Sequence, residues 1–225
     1  MSAVLKKPVG RPKDENLTAR RRAEILEAAA GFFAQYGYAT ADLALLADEL
    51  GVAKGTLYRY FPSKQDLFLA TVDHCMYCLH DEIQAATQGV TEPLERVAVA
   101  IRTYFSYFDA HPNVVELFIQ ERAVFKDRKK PTYFAHREAN VGPWRDLFRG
   151  LIAEGRLRDV PVETITDVLS NLVYGTMFTN YFAGRRKSLK EQTEELLDII
   201  FNGLTAAPGQ TIKTRIDARR LEHGD

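Results

Sequence analysis

The stretch Thr40–Leu67, TADLALLADELGVAKGTLYRYFPSKQDL, holds two helix-sized segments separated by a tight Gly51-Val52-Ala53 break. Thr40 or Asp42 can cap the first segment, whose apolar face is Leu43, Leu46, Ala47 and Leu50. The second runs from about Ala53 to Tyr60 and stops before Pro62, because proline lacks an N–H and disfavours helix at the residue before it. Within it Leu57 and Phe61, four residues apart, face inward. Lys54, Thr56, Tyr58, Arg59 and Tyr60 then present donors and rings outward, and Gly55 keeps the surface flat. That is the layout of a helix-turn-helix, whose second helix enters the DNA major groove.

The pattern around this stretch is helical. Apolar residues recur at i, i+3, i+4 and i+7, and alternating strand-like runs are absent. A preceding helix over 18–35 carries Ile25, Ala28, Ala29, Phe32 and Phe33 on one face and ends at Gly37. Ser63-Lys64-Gln65-Asp66 resembles a capping box and opens a long helix to about residue 87. Further helices are expected at 92–109, 112–125, 132–155, 161–184 and 188–205. Gly142-Pro143 kinks or breaks the third of these, and Ser188-Leu189-Lys190-Glu191 caps the last. The expectation is an all-α chain of about nine helices: an N-terminal three-helix helix-turn-helix domain followed by a helical ligand-binding and dimerisation domain. Its expected divisions are a basic arm at 1–17, the helix-turn-helix domain at 18–66, the body at 67–207 and a tail at 208–225.

The 225 residues carry no net charge, which at first argues against a nucleic-acid partner. The distribution removes that objection. Lys6, Lys7, Arg11, Lys13, Arg20, Arg21 and Arg22 stand against only Asp14 and Glu15 in residues 1–22, a net of +5, so the remainder carries −5. A basic end on a mildly acidic body fits a chain that meets phosphate at one end. With 46% hydrophobic and 27% charged residues, the composition is that of a globular protein. No apolar run is long enough to span a membrane, no secretory signal precedes the first helix, and two cysteines make no disulfide framework; a cytoplasmic location is expected.

The run AEILEAAAGFFAQYGYATADLALLADELGVAKGTLYRYFPSKQDLF is similar to the N-terminal domain of the tetracycline-repressor (TetR) family. Ala28, Phe32, Gly37, Ala47, Gly51, Val52, Gly55, Leu57, Tyr58, Phe61, Lys64 and Leu67 carry the likeness, which covers roughly residues 20–70; beyond them only the helical layout matches. The resemblance implies that Thr40, Tyr58, Tyr60 and Lys64 position the DNA backbone while Lys54, Gly55, Thr56 and Arg59 lie nearer base edges. Family members often have serine where this chain has Ala53, so a cap on the recognition helix is missing. Arg11, inside Pro8-Val9-Gly10-Arg11-Pro12-Lys13, resembles the centre of a minor-groove hook.

The family's C-terminal body binds effectors and pairs subunits. For the effector, Tyr104, Phe108, Phe118, Trp144, Asn171, Tyr174 and Phe178 are the expected lining, which suits an apolar or aromatic molecule. For a homodimer, Ile165, Leu169, Leu172, Thr176 and Thr179 on one helix and Leu196, Leu197, Ile200 and Leu204 on the next are the expected surface. Two half-sites of a palindromic operator would then be read one helical turn apart. The expected function is a repressor released from its operator by a small effector. The alternative is a protein of the same fold controlled by a protein partner or by DNA alone.

Other chemistries find less support. In His74-Cys75-x-x-Cys78-x-His80 the two cysteines share a face, but His80 lies some 160° away from Cys78, so no bound metal is expected. No G-x-S-x-G, G-x-G-x-x-G, P-loop or H-E-x-x-H motif is present; neither an enzyme nor a cofactor is expected.

Overall fold

The computed structural model describes residues 15–204. The basic arm with Arg11, the tail 208–225 and the Leu204 side chain lie outside the described residues. Ten helices form the described chain: α1 (Glu15–Tyr36), α2 (Leu43–Glu49), α3 (Lys54–Tyr60), α4 (Lys64–Thr87), α5 (Pro93–Ala110), α6 (Pro112–Val124), α7 (Thr132–Asn140), α8 (Gly142–Ala153), α9 (Val162–Ala183) and α10 (Leu189–Leu204). One more helix is present than the sequence led us to expect. The pattern over 132–155 is two helices because Pro143, in the first turn of α8, cannot donate a backbone bond to continue α7. Asn140 closes the end of α7 by donating from Nδ2 to the His136 carbonyl at 2.9 Å.

Two compact units are present. The first comprises, of the described residues, 15–78 together with Glu116–Thr132. Its core includes Ile25, Leu26, Ala29, Phe33, Leu46, Leu57, Leu67, Phe68 and Val72, each no more than 1% exposed. The turns are built by glycine where positive φ is required. Gly37 (φ 74°) ends α1 and Gly51 (φ 64°) ends α2. At Gly51 two backbone bonds close the helix, Val52 N–H to Ala47 O at 2.9 Å and Gly51 N–H to Asp48 O at 3.0 Å. Ser63 and Asp66 form the reciprocal cap expected for α4: Asp66 N–H donates to Ser63 Oγ at 3.0 Å, and Ser63 Oγ donates to Asp66 Oδ2 at 2.7 Å.

The second unit comprises, of the described residues, Leu79–Val115 and 133–204. Helix α5 is its spine, burying Val97, Ile101, Tyr104, Phe105 and Phe108. Arg102 ties α5 to α10 through a two-pronged contact with Glu194, at 2.8 and 3.1 Å. The side-chain amides of Asn180 and Gln192 pair reciprocally at 2.8 and 2.9 Å, fixing α9 against α10. Ser188 and Glu191 cap α10 as expected, with Ser188 N–H donating to Glu191 Oε2 at 3.0 Å and Glu191 N–H to Ser188 Oγ at 3.2 Å.

Candidate nucleic-acid interface and ligand cavity

Helix α3 stands on Leu57, which is 1% exposed and anchors it to the first unit. Lys54, Gly55, Tyr58 and Arg59 are exposed, and Thr56 and Tyr60 are half-buried. Thr40 lies exposed beside α1 and donates from its hydroxyl to the Tyr36 carbonyl. The residues expected to meet DNA, Arg11 aside, therefore all belong to the first unit and are exposed or half-buried. Ala53 is the N-cap of α3 and makes no side-chain bond, so the first amides of that helix have no capping side chain.

Two cations of this surface are already held. The Lys64 ammonium donates to Ala39 O at 3.1 Å and Ala41 O at 2.7 Å and lies 5.1 Å from the centre of the Tyr38 ring. This braces the loop between α1 and α2 and points the charge at the edge carrying Thr40. Lys54 Nζ lies 3.4 Å from Asp42 Oδ1. The same oxygen accepts the Ala44 N–H at 2.9 Å, capping α2, and these contacts hold the Asp42 carboxyl below its ordinary pKa, the Ala44 amide contributing most. Arg59 lies over Tyr60, 5.4 Å from the ring centre.

Sequence reasoning missed the second layer behind this surface. Gln120, on α6, accepts from Tyr38 N–H and donates to Phe33 O, both at 2.9 Å. Phe125 packs edge-on to Tyr38 with ring centres 5.0 Å apart. More than eighty positions separate these partners, so no local spacing signals them.

The second unit contains a cavity of about 160 Å³. Tyr104 and Trp144 are in its lining, with Ile83, Val97, Ala100, Ile101, Val141, Phe148, Thr166, Leu169, Ser170 and Val173. The other expected residues stand elsewhere. Phe108 lines a separate hollow of about 80 Å³ with Met177 and Tyr181. Phe118 belongs to the first unit, and Asn171 is exposed because α9 is rotated to turn Ser170 and Val173 to the cavity. Tyr174 and Phe178 form an aromatic row with Tyr133, tilted at 4.6 Å (Tyr133–Tyr174) and edge-on at 4.8 Å (Tyr174–Phe178) between ring centres. The Tyr104 and Tyr133 hydroxyls lie 3.1 Å apart. Burial pushes the Tyr133 phenol up to about 12 and the Tyr104 phenol well above its ordinary value, so both are neutral hydrogen-bonding groups.

The expected pairing surface is divided. Ile165, Leu197 and Ile200 are buried within the chain itself, at 2%, 3% and 6% exposure, and Leu169 faces the cavity. Leu172 and Thr179 are exposed; Thr176 and Leu196 are half-buried. The large apolar side chains exposed on these two helices are Val168, Leu172, Tyr181, Phe182 and Ile199. The apolar stripe on α9 and α10 is thus partly buried within the chain and partly exposed, a division that periodicity alone does not make.

Among the described residues no cluster of three metal-ligating side chains occurs. His74 Nε2 lies 3.6 Å from Cys78 Sγ, and burial pushes the Cys75 thiol up to about 12. No described helix is long and apolar enough to cross a membrane.

An exposed basic helix seated on a glycine-ended partner, and held in the first compact unit, defines a helix-turn-helix DNA-binding protein. Residues 25–71 match the family model described as bacterial regulatory proteins, tetR family. The chain is 26% identical to the HTH-type transcriptional regulator HbdR of Aromatoleum sp. (strain CIB), over 90% of this chain and 89% of that protein. It is 23% identical to the HTH-type transcriptional repressor KstR2 of Mycolicibacterium smegmatis, over 88% of this chain and 97% of that protein. A transcriptional regulator from Saccharomonospora viridis, solved in complex with choline, shares the fold: TM-score 0.68 and 22% identity over 85% of this chain and all of that one. Residues 25–71 thus carry a tetR-family regulatory domain, and the protein is a DNA-binding regulator of transcription.

Proposed function

We propose that the protein is a homodimeric repressor that leaves a palindromic operator when a small apolar or aromatic molecule enters the cavity of its second unit. The supporting observation is that cavity. At about 160 Å³ it matches the roughly 150 Å³ apolar void that accepts benzene in an engineered protein, so one ring or a short acyl chain fits. Thr166 and Ser170 on α9 bring hydroxyl-bearing side chains to its lining, polar points that orient such a ligand.

In this reading residues 18–66 bind DNA and 67–207 bind the effector and the second subunit. Thr40, Tyr58, Tyr60 and Lys64 hold phosphates. Lys54, Thr56 and Arg59 address bases, with Gly55 allowing close approach, and Arg11 enters the minor groove. The homodimer forms through the exposed part of the α9 and α10 faces. Effector and operator oppose each other by linkage: whatever factor the effector takes from DNA affinity, DNA takes from effector affinity.

Trp144 is the single tryptophan and lines the cavity, so it reports occupancy directly. The test titrates single-ring aromatics and short acyl compounds while following Trp144 fluorescence and operator binding together. The reading expects a compound that changes the fluorescence and releases DNA over one concentration range. Compounds that fill the cavity and leave DNA affinity unchanged favour the alternative, control by a protein partner or by DNA alone.

A further inference from the structure

The loop that follows α6 is strongly basic. Arg122, Lys126, Arg128, Lys129 and Lys130 stand against Asp127 between residues 122 and 130. In a chain of zero net charge such a cluster calls for a physical reason, since like charges crowded on a surface repel.

The loop is built and held. Its buried clasp is Glu121, 2% exposed, whose carboxylate accepts from Thr132 N–H at 3.0 Å and Thr132 Oγ at 2.8 Å and pairs with Arg128. Arg128 also donates to Thr132 Oγ at 3.0 Å. Arg122 donates to the Lys126 carbonyl at 3.0 Å. Two of the five cations are therefore used to fix the loop. Lys126 and Lys129 are exposed, and no hydrogen bond or ion pair to a described residue engages either ammonium.

Position decides what these lysines face. The segment Glu116–Thr132 belongs to the same compact unit as α1, α2 and α3. Phe125, at the base of the loop, packs on Tyr38, whose ring also meets Phe33, Phe68 and the Lys64 ammonium. One aromatic ring thus separates the start of the basic loop from the edge on which Lys64 and Thr40 stand. Phe125 also meets Phe68 at 5.7 Å, which fixes it to α4.

The geometry points to a second DNA contact: the α6–α7 loop, through Lys126 and Lys129, engages backbone phosphates beside the half-site read by α3. It rests on the DNA-binding reading of the helix-turn-helix. Because the loop is already ordered by Glu121 and Arg122, little conformational freedom is lost on contact. Phosphate contacts of this kind add affinity without sequence preference and register in the salt dependence of binding.

The test uses the full chain and a duplex selected by the wild-type protein from a random-sequence pool. The duplex is made in a minimal length and with about ten extra base pairs on each side, one helical turn. Binding is followed by fluorescence anisotropy from low to high potassium chloride for the wild type, K126Q/K129Q and K126R/K129R, with thermal unfolding of each. The wild type should bind the extended duplex more tightly. K126Q/K129Q should lose that advantage, and its slope of log affinity against log salt should be shallower by about 1.8 per bound subunit, about 0.9 for each contact. K126R/K129R should retain both. An unchanged slope in a folded K126Q/K129Q protein overturns the loop contact alone. A wild-type protein that selects no duplex removes the helix-turn-helix reading and this inference together.

Discussion

Lys54 Nζ and Asp42 Oδ1 lie 3.4 Å apart, joining a cation of the recognition helix to the residue that caps the helix before it. The carboxylate does two jobs, and DNA competes for one of them. Asp42→Asn keeps an acceptor for the Ala44 amide and releases Lys54, so affinity for duplex DNA should rise. The pH sign follows from the lowered pKa. A carboxyl whose folded pKa lies below its unfolded value near 3.9 contributes stability above that value and loses it as pH falls through the folded pKa. Acid unfolding of Asp42→Asn should therefore lack part of the steep limb seen in the wild type between about pH 4 and the folded pKa. Superimposable acid limbs would show that the pair has no thermodynamic role.

Ala53 leaves the first turn of α3 without a capping side chain although its backbone is extended as a cap requires (φ −68°, ψ 142°). Ala53→Ser should stabilise the first unit by about 0.5–2 kcal/mol and slow amide exchange at the start of α3. Urea unfolding and hydrogen exchange measure both. No gain in either would mean that the α3 amides are satisfied without a cap.

The helix ends were legible in the sequence wherever chemistry is local. Gly37 and Gly51 stand at positive φ where the chain must turn, and Ser63 and Ser188 cap the helices their spacing announces. What could not be read is rotation and long-range pairing. Helix α9 is apolar around most of its circumference, so its pattern does not say that Leu169 turns to the cavity while Val168 and Leu172 stay outside. Likewise Gln120 and Phe125 meet Tyr38 across more than eighty positions, so the grouping of Glu116–Thr132 with the DNA-binding helices leaves no local mark. The cavity was half legible: the Tyr104 and Trp144 rings announce themselves, but Ala100, Ser170 and Val173 matter by being small.

Ala100 borders the cavity at 9% exposure, and a larger side chain there points into empty space. Ala100→Leu should cost less than the 1–3 kcal/mol typical of overpacking a filled core, because the void absorbs the added carbons. It should abolish the Trp144 response to effector and leave DNA affinity near wild type. A variant that still responds would place the effector elsewhere.

Val168 and Ile199 are 59% and 72% exposed, costly as free surface and suited to a partner. Val168→Glu with Ile199→Glu should yield a monomer in sedimentation equilibrium. Operator affinity should fall by about 10²–10⁴-fold as two linked half-sites become one. A stable dimer in that variant would move the pairing surface off α9 and α10.

DNA selection from a random pool, followed by affinity measurement over a range of salt for the wild type and a Lys54→Ala/Arg59→Ala variant, bears most directly on the regulator reading. The wild type should enrich one palindromic duplex and lose affinity steeply as salt rises, by about 0.9 in log–log slope for each phosphate contacted. The variant, intact in thermal unfolding, should lose at least about tenfold at low salt, since each good base contact is worth roughly 1–3 kcal/mol. A wild-type protein that enriches no duplex, or whose binding ignores both salt and the two substitutions, would contradict it.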